Sequence, residues 1–356
     1  MNNDKGTVPV ELLVTRYFVK YNRLDQLIPQ AFKGSGENTI NLYIDLYGLY
    51  KTIFSRSFRT DISDYTALIP AIVNMCAHYR GYFKAIGVYA NIYLISSYNV
   101  SEINRKFVAE YNKTMMEKLG TSSIREMVEL NLELLELLCK YLPNIYYIST
   151  NFESSALMKY LIDKNPDIPN LIISSDIYPI QLTSEYDNTA FLRPRKYNGK
   201  DLSTIVFPRN KPQEHFDSFW SLITGEREKL SLERSSITVH TSNFAILEAL
   251  NRFPERNLKS LMNITTANNT LMDIMGWKNE ITPQILFSMN KELELHVPKV
   301  LVEARYKVLN LDYQLNIFSN SIEPSLINLQ NLNDPNAVNL INDRYFKNNP
   351  IDLSKI

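Results

Sequence analysis

The stretch Asn170–Leu182, NLIISSDIYPIQL, constrains the fold more than any other part of this chain. Leu171, Ile172 and Ile173 run straight into Ser174, Ser175 and Asp176, and an amphipathic segment follows. A short apolar run that ends at an acid and turns into a helix is the pattern of a strand buried on both faces of a parallel sheet. Ligands of open α/β sheets sit beyond the carboxyl ends of the strands, which puts Asp176 where chemistry happens.

The rest of the first half repeats the theme. Ile40–Asp45 reads as a strand that also ends in an acid, with a helix from about Tyr47 to Ser55. Residues 62–86 carry helical periodicity, Val88–Ser96 reads as a second strand, and Ser101–Lys118 and Ile124–Tyr141 read as helices. Ile145–Ser149 is a third strand, Glu153–Asp163 a helix and Leu171–Ser175 a fourth strand. Strands alternating with helices at this spacing predict a mainly parallel sheet with helices on both faces. Thr189–Leu192 and Thr204–Phe207 read as shorter edge strands. Residues 9–33 form an expected N-terminal helix closed by Gly34-Ser35-Gly36. From about Glu214 the pattern is helical, and the Asn-, Pro- and Asp-rich tail from Asn320 is expected to lie extended over the surface.

Composition narrows the function classes. Lys plus Arg and Asp plus Glu both total 38, so the net charge is zero. A protein devoted to gripping a polyanion usually carries a basic excess, so any nucleic-acid contact here depends on a local patch. No apolar run approaches the roughly 18 residues of a spanning helix, and the N-terminus lacks the basic-then-apolar layout of a signal peptide. Cys76 and Cys139 sit in apolar helical patterns and read as reduced core residues. The expected location is therefore intracellular, with no membrane partner. Abundant Asn, Ile, Lys and Tyr suit an AT-rich genome, such as that of a phage, a virus or a low-GC bacterium.

Taken in order, the strand ends resemble the 5′-nuclease family of flap endonucleases, phage 5′–3′ exonucleases and polymerase-associated exonuclease domains. Ile44-Asp45-Leu46-Tyr47-Gly48 is similar to the family's first strand end. Tyr98-Asn99-Val100 stands where Phe-Asp-Gly is usual, with Arg105 and Lys106 in the helix after it. Phe152-Glu153-Ser154-Ser155 stands at the family's Glu-containing element, and Ser174-Ser175-Asp176-Ile177-Tyr178 at its Ser-Gly-Asp-x-Asp element. Ala249–Ala267 is similar to the helix–turn–helix that grips duplex backbone. The resemblance implies a PIN-like α/β domain over residues 38–212 and a helical region with an eroded helix–turn–helix over 213–319. A helical extension of residues 1–37 would precede these and a tail of 320–356 would follow.

The resemblance also implies a carboxylate cluster that holds two divalent ions about 4 Å apart across the scissile phosphate. This chain keeps Asp45, Glu153 and Asp176 as catalytic and metal-ligand candidates, while Asn99, Ser155 and Tyr178 stand where further acids are usual. Two dications are under-compensated by three carboxylates, so the expected cofactor is one weakly held Mg or Mn ion. Asp187, Asp201 and Asp217 are potential replacements outside any motif. For the retained acids the alternative role is that of helix N-caps or turn residues. The helix–turn–helix has no glycine, so side chains hold a phosphate backbone away, although Arg252, Arg256 and Lys259 still reach phosphate. Arg193, Arg195 and Lys196 form a further basic run, equally explained as a solvated loop. His78, His215, His240 and His296 lack metal-ligand spacing.

The expectation is thus a divergent 5′-nuclease-like protein, catalytically weak or inactive, that acts as a nucleic-acid-associated or assembly component of phage or viral origin. Its partners would be DNA or RNA at 5′ ends or flaps, and proteins of a viral or replication complex. The alternatives are an active Mg/Mn-dependent 5′–3′ exonuclease or flap endonuclease, and a structural subunit of a virion or multi-protein complex.

Overall fold

The computed structural model describes residues 39–53, 68–85, 87–97, 122–149, 153–174, 179, 182, 185–186, 188–194, 196–197, 200–201, 204–206, 311–316, 332–348 and 350–356. The expected helices over 9–33 and 101–118 and the helix–turn–helix over 249–267 lie outside the described residues. So does the helical region expected over 213–319, apart from a helical segment at 311–316.

The elements follow in the order β1 (Thr39–Asp45), α1 (Leu46–Ile53), α2 (Leu68–Ala85), β2 (Tyr89–Ser96), α3 (Ser122–Cys139), β3 (Ile145–Ser149), α4 (Ser154–Lys164) and β4 (Asn170–Ile173). Then come β5 (Thr189–Arg193), the short strands β6 (Lys196–Tyr197) and β7 (Lys200–Asp201), β8 (Thr204–Val206) and α5 (Pro335–Tyr345). The main sheet has the order β3-β2-β1-β4-β5-β8. Its first five strands are parallel, and β8 runs antiparallel at the edge. This is the mainly parallel α/β sheet that the alternation of strands and helices predicts.

One face of the sheet carries Ile40, Leu42 and Ile44 of β1, Ile92 and Leu94 of β2, Leu171 and Ile173 of β4, and Leu192 of β5. These share one core with Ile69, Ile72, Met75 and Phe83 of α2 and with Leu135 and Leu138 of α3. Strand periodicity of two aims every second residue there, and helical periodicity supplies the covering stripe. Cys76 and Cys139 lie free in this core, and burial pushes the Cys76 thiol up to about 12 and the Cys139 thiol up as well. Thiols held protonated in this way are unreactive packing residues. The α2 helix ends in a Schellman turn, with Gly87 at φ 78°, Val88 N donating to Phe83 O at 2.9 Å and Gly87 N to Lys84 O at 3.0 Å.

The second face also runs inward, through Tyr43, Ile148, Ile172 and Phe191. From β1 to β3 the chain steps one way across the sheet, and from β3 to β4 it steps back. Right-handed crossovers then place α4 on this second face, and its Leu157, Met158, Leu161 and Ile162 are buried.

The tail departs from the sequence reading. Residues 335–345 are helical rather than extended: Asp334 caps α5 by accepting from Asn336 N at 2.9 Å, and Pro335 opens the first turn. Val338, Ile341, Phe346 and Ile351 enter the main core. The Asn342 amide captures the chain end, donating to Ile351 O and accepting from Ile351 N, both at 2.9 Å. The apolar spacing 338–341–345 is helical, and it is masked by the Asn, Asp and Pro around it.

Candidate functional site

The sheet order reverses between β1 and β4: β1 leads to β2 on one side, while β4 and β5 build the other. A crevice at the carboxyl ends of such neighbouring strands is the usual ligand position of an open α/β sheet. Asp45 ends β1 there and is buried. Its Oδ1 accepts from Tyr47 N at 3.0 Å, so the carboxylate is the N-cap of α1. Its Oδ2 accepts from the Ser174 hydroxyl at 2.7 Å, and Ser174 follows β4 directly. That bond crosses the switch point and ties the two central strands together at their upper ends.

Among the described residues, hydroxyls make up most of the surrounding rim. Ser96 ends β2 and Ser97 follows it, and Ser154 and Ser155 open α4; all four are buried. Ser149 ends β3 on the exposed side of the rim. Glu153 is the N-cap residue of α4, but its side chain makes no capping hydrogen bond; its backbone carbonyl accepts from Ala156 N at 3.0 Å. Among the described residues no three His, Cys, Asp or Glu side chains come together in a way that could hold a metal ion. A serine hydroxyl accepts hydrogen bonds but brings no negative charge, and hard dications select oxygen sites by charge as well as by number.

Of the sequence-predicted site residues, Asp45 and Glu153 stand at the carboxyl end of the sheet as expected. Asp176 lies outside the described residues, as do Asn99, Tyr178, Asp187, Asp217, Arg105, Lys106, Arg195, Arg252, Arg256 and Lys259. Arg193 closes β5 and Lys196 opens β6, with the described backbone pairing Arg193 with Thr204 and Lys196 with Asp201. The basic run is therefore partly a two-stranded ribbon.

A second polar cluster, missed by sequence reasoning, lies further along α4. The Lys159 ammonium is buried and faces three carboxylates: Glu185 in direct contact, Asp312 at 3.2 Å and Asp163 one turn on at 3.6 Å. It also donates to the Tyr186 hydroxyl at 2.7 Å, and that hydroxyl donates to Asp163. Burial works against the charged lysine, but the three acids, Glu185 first, outweigh it and hold its pKa above the ordinary value. Burial also lifts the Glu185 pKa, which Lys159 only partly offsets. The cluster joins α4, the 185–186 segment and the 311–316 helical segment. A lysine inside an otherwise apolar helical stripe was the available signal.

No family model and no curated protein match the sequence. Among solved structures, the chain is similar to the flap endonuclease of bacteriophage T5, in a pseudo-enzyme complex with product DNA and metal ions. That likeness has 11% identity and a TM-score of 0.46 and covers 82% of this chain and 97% of the other. It is also similar to the catalytic core of Rad2 in complex with DNA substrate, with 12% identity, a TM-score of 0.38 and coverage of 85% of this chain and 84% of the other. The fold class of this chain is set by its own strand order and pairing.

Proposed function

We infer that this chain is a 5′-nuclease-like protein that associates with nucleic acid and hydrolyses it weakly or not at all. It serves as an assembly or nucleic-acid-associated component of a phage or viral system. The observation that carries this reading is the make-up of the rim among the described residues: one buried carboxylate, Asp45, at strand ends that also carry the hydroxyls of Ser96, Ser97, Ser154, Ser155 and Ser174. That donor set does not fit a two-ion centre. With Asp176 added it suits one weakly held Mg or Mn ion, and hydroxyls suit phosphate oxygens without activating water.

The active reading draws on one specific feature. Ligating carboxylates are commonly held by outer hydrogen bonds, and Tyr47 and Ser174 hold Asp45 in that manner. Incubation of the full chain with a labelled 5′-flap DNA and Mg²⁺ or Mn²⁺ separates the two. The expected result is binding that weakens as salt rises, without release of the flap. Turnover that disappears in both Asp45→Ala and Asp176→Ala would overturn the inactive reading. Absence of salt-sensitive binding, with stable co-purification of another protein, would replace it by a structural subunit.

A further inference from the structure

A chain of side-chain hydrogen bonds crosses four strands on the second face of the sheet, near their amino ends. Asn91 of β2 donates to Asn41 of β1 at 3.3 Å, and Asn41 donates to Asn170 of β4 at 3.4 Å. Asn170 donates to Thr189 of β5 at 3.2 Å, and Thr189 donates to Asn188 at 3.3 Å. These are register partners: Asn41 lies opposite Asn91 and opposite Asn170, and Asn170 opposite Thr189. Asn41, Asn170 and Thr189 are buried. Every donor points the same way, so each amide fixes the orientation of the next.

We propose that this ladder is a register lock that positions the rim. The apolar pattern of β1 and β4 repeats every two residues, so a slip of two leaves the main core face apolar and unpunished. The ladder is not indifferent: the same slip strands buried amides opposite apolar side chains. On the β2 side a second device shares the task, because Tyr43, Tyr93 and Tyr146 stack at 5.2 and 5.1 Å between centroids. On the β4 side β4 has just four residues, and among the described residues the ladder is the polar feature at the amino end of that face that tells one register from the next, with the Asp45–Ser174 bond at the other end. The consequence lies four residues along each strand. With Asn41 opposite Asn170, Asp45 comes opposite Ser174, where the 2.7 Å bond forms. Buried polar groups that specify register at little net gain in stability are the best-attested use of such groups. The lock holds whatever the rim binds.

The test is a triple variant of the full chain, Asn41→Val, Asn170→Val and Thr189→Val, followed by isoleucine methyl NMR and thermal unfolding. The expected result is a cooperative transition within a few degrees of the parent, with doubled or broadened signals for Ile172 and Ile173. Ile92 and Ile95 keep single signals, because the tyrosine stack still pins β2. Restoring Asn41 and Asn170 together returns one sharp set. Sharp, single, parent-like signals throughout the triple variant would overturn the proposal. Loss of the cooperative transition would overturn it too, since the ladder would then be a source of stability rather than of register.

Discussion

Lys159→Met will destabilise the protein by about 2–4 kcal/mol at pH 7, measured by denaturant unfolding, and the loss will shrink in acid. Removing one member of a buried ion pair leaves its partner desolvated and uncompensated, a cost of about 3–5 kcal/mol where both are fully buried. Here the Glu185 side chain keeps 26% of its surface exposed and Asp163 and Asp312 are more open still, so the expected figure sits lower. Methionine fills the volume of the aliphatic stem, which isolates the charge from packing. The pH dependence has a definite sign. The folded pKa of Lys159 is raised, so its contribution is complete below the unfolded value of about 10.4 and fades as pH rises through the folded value. The folded pKa of Glu185 is raised as well. For a carboxylate that means stability gained as pH falls through the window above about 4.3. In the variant Glu185 faces Asp163 and Asp312 without a cation, so its protonation relieves more repulsion than in the parent. The difference between the two proteins therefore narrows from pH 7 toward pH 4.5. A constant difference across that range would show that packing, not charge, accounts for the loss.

The second large effect belongs to the chain end. Phe346→Ala will cost about 3–5 kcal/mol, because a fully buried aromatic ring is replaced by a cavity in a core that the sheet and α2 cannot close. The same substitution will increase hydrogen exchange in α5 first. Val338, Ile341 and Ile351 enter the core from the same short segment, and local opening takes the least-supported unit. Parent-like stability in this variant would mean that α5 docks through Asn342 and the chain end alone.

These two sites also show what sequence could and could not convey. The strand Ile145–Ser149 and the acid ending β1 were legible, because two-residue periodicity and a terminal acid are local signals. So was the parallel sheet, from strands and helices in alternation. The helix Pro335–Tyr345 was not, although Asp334-Pro335 is a cap followed by a first-turn proline. Its Asn-rich surroundings suggested an extended tail, and tertiary burial of Val338 and Phe346 decided otherwise. The partners of Lys159 were illegible for a different reason: Glu185 and Asp312 lie 26 and 153 residues away, so no local window holds the cluster. Ser174 shares that fate, since its partner Asp45 is 129 residues away. The asparagines of the ladder were visible as polar breaks in apolar strands, yet their meaning needed the register. At the rim, Ser155 is the described residue that the sequence marks as a departure from an acidic pattern, and the other serines carry no such mark. Asp176, at the end of the strand that most constrains the fold, lies outside the described residues.

The central claim is that this rim carries too little negative charge to pin a pair of divalent ions. Titration of the full chain with Mn²⁺, followed by electron paramagnetic resonance, addresses it directly. The account predicts at most one ion per chain, weakly held, readily displaced by Mg²⁺ and lost in Asp45→Asn. Two tightly bound, magnetically coupled ions per chain would contradict it.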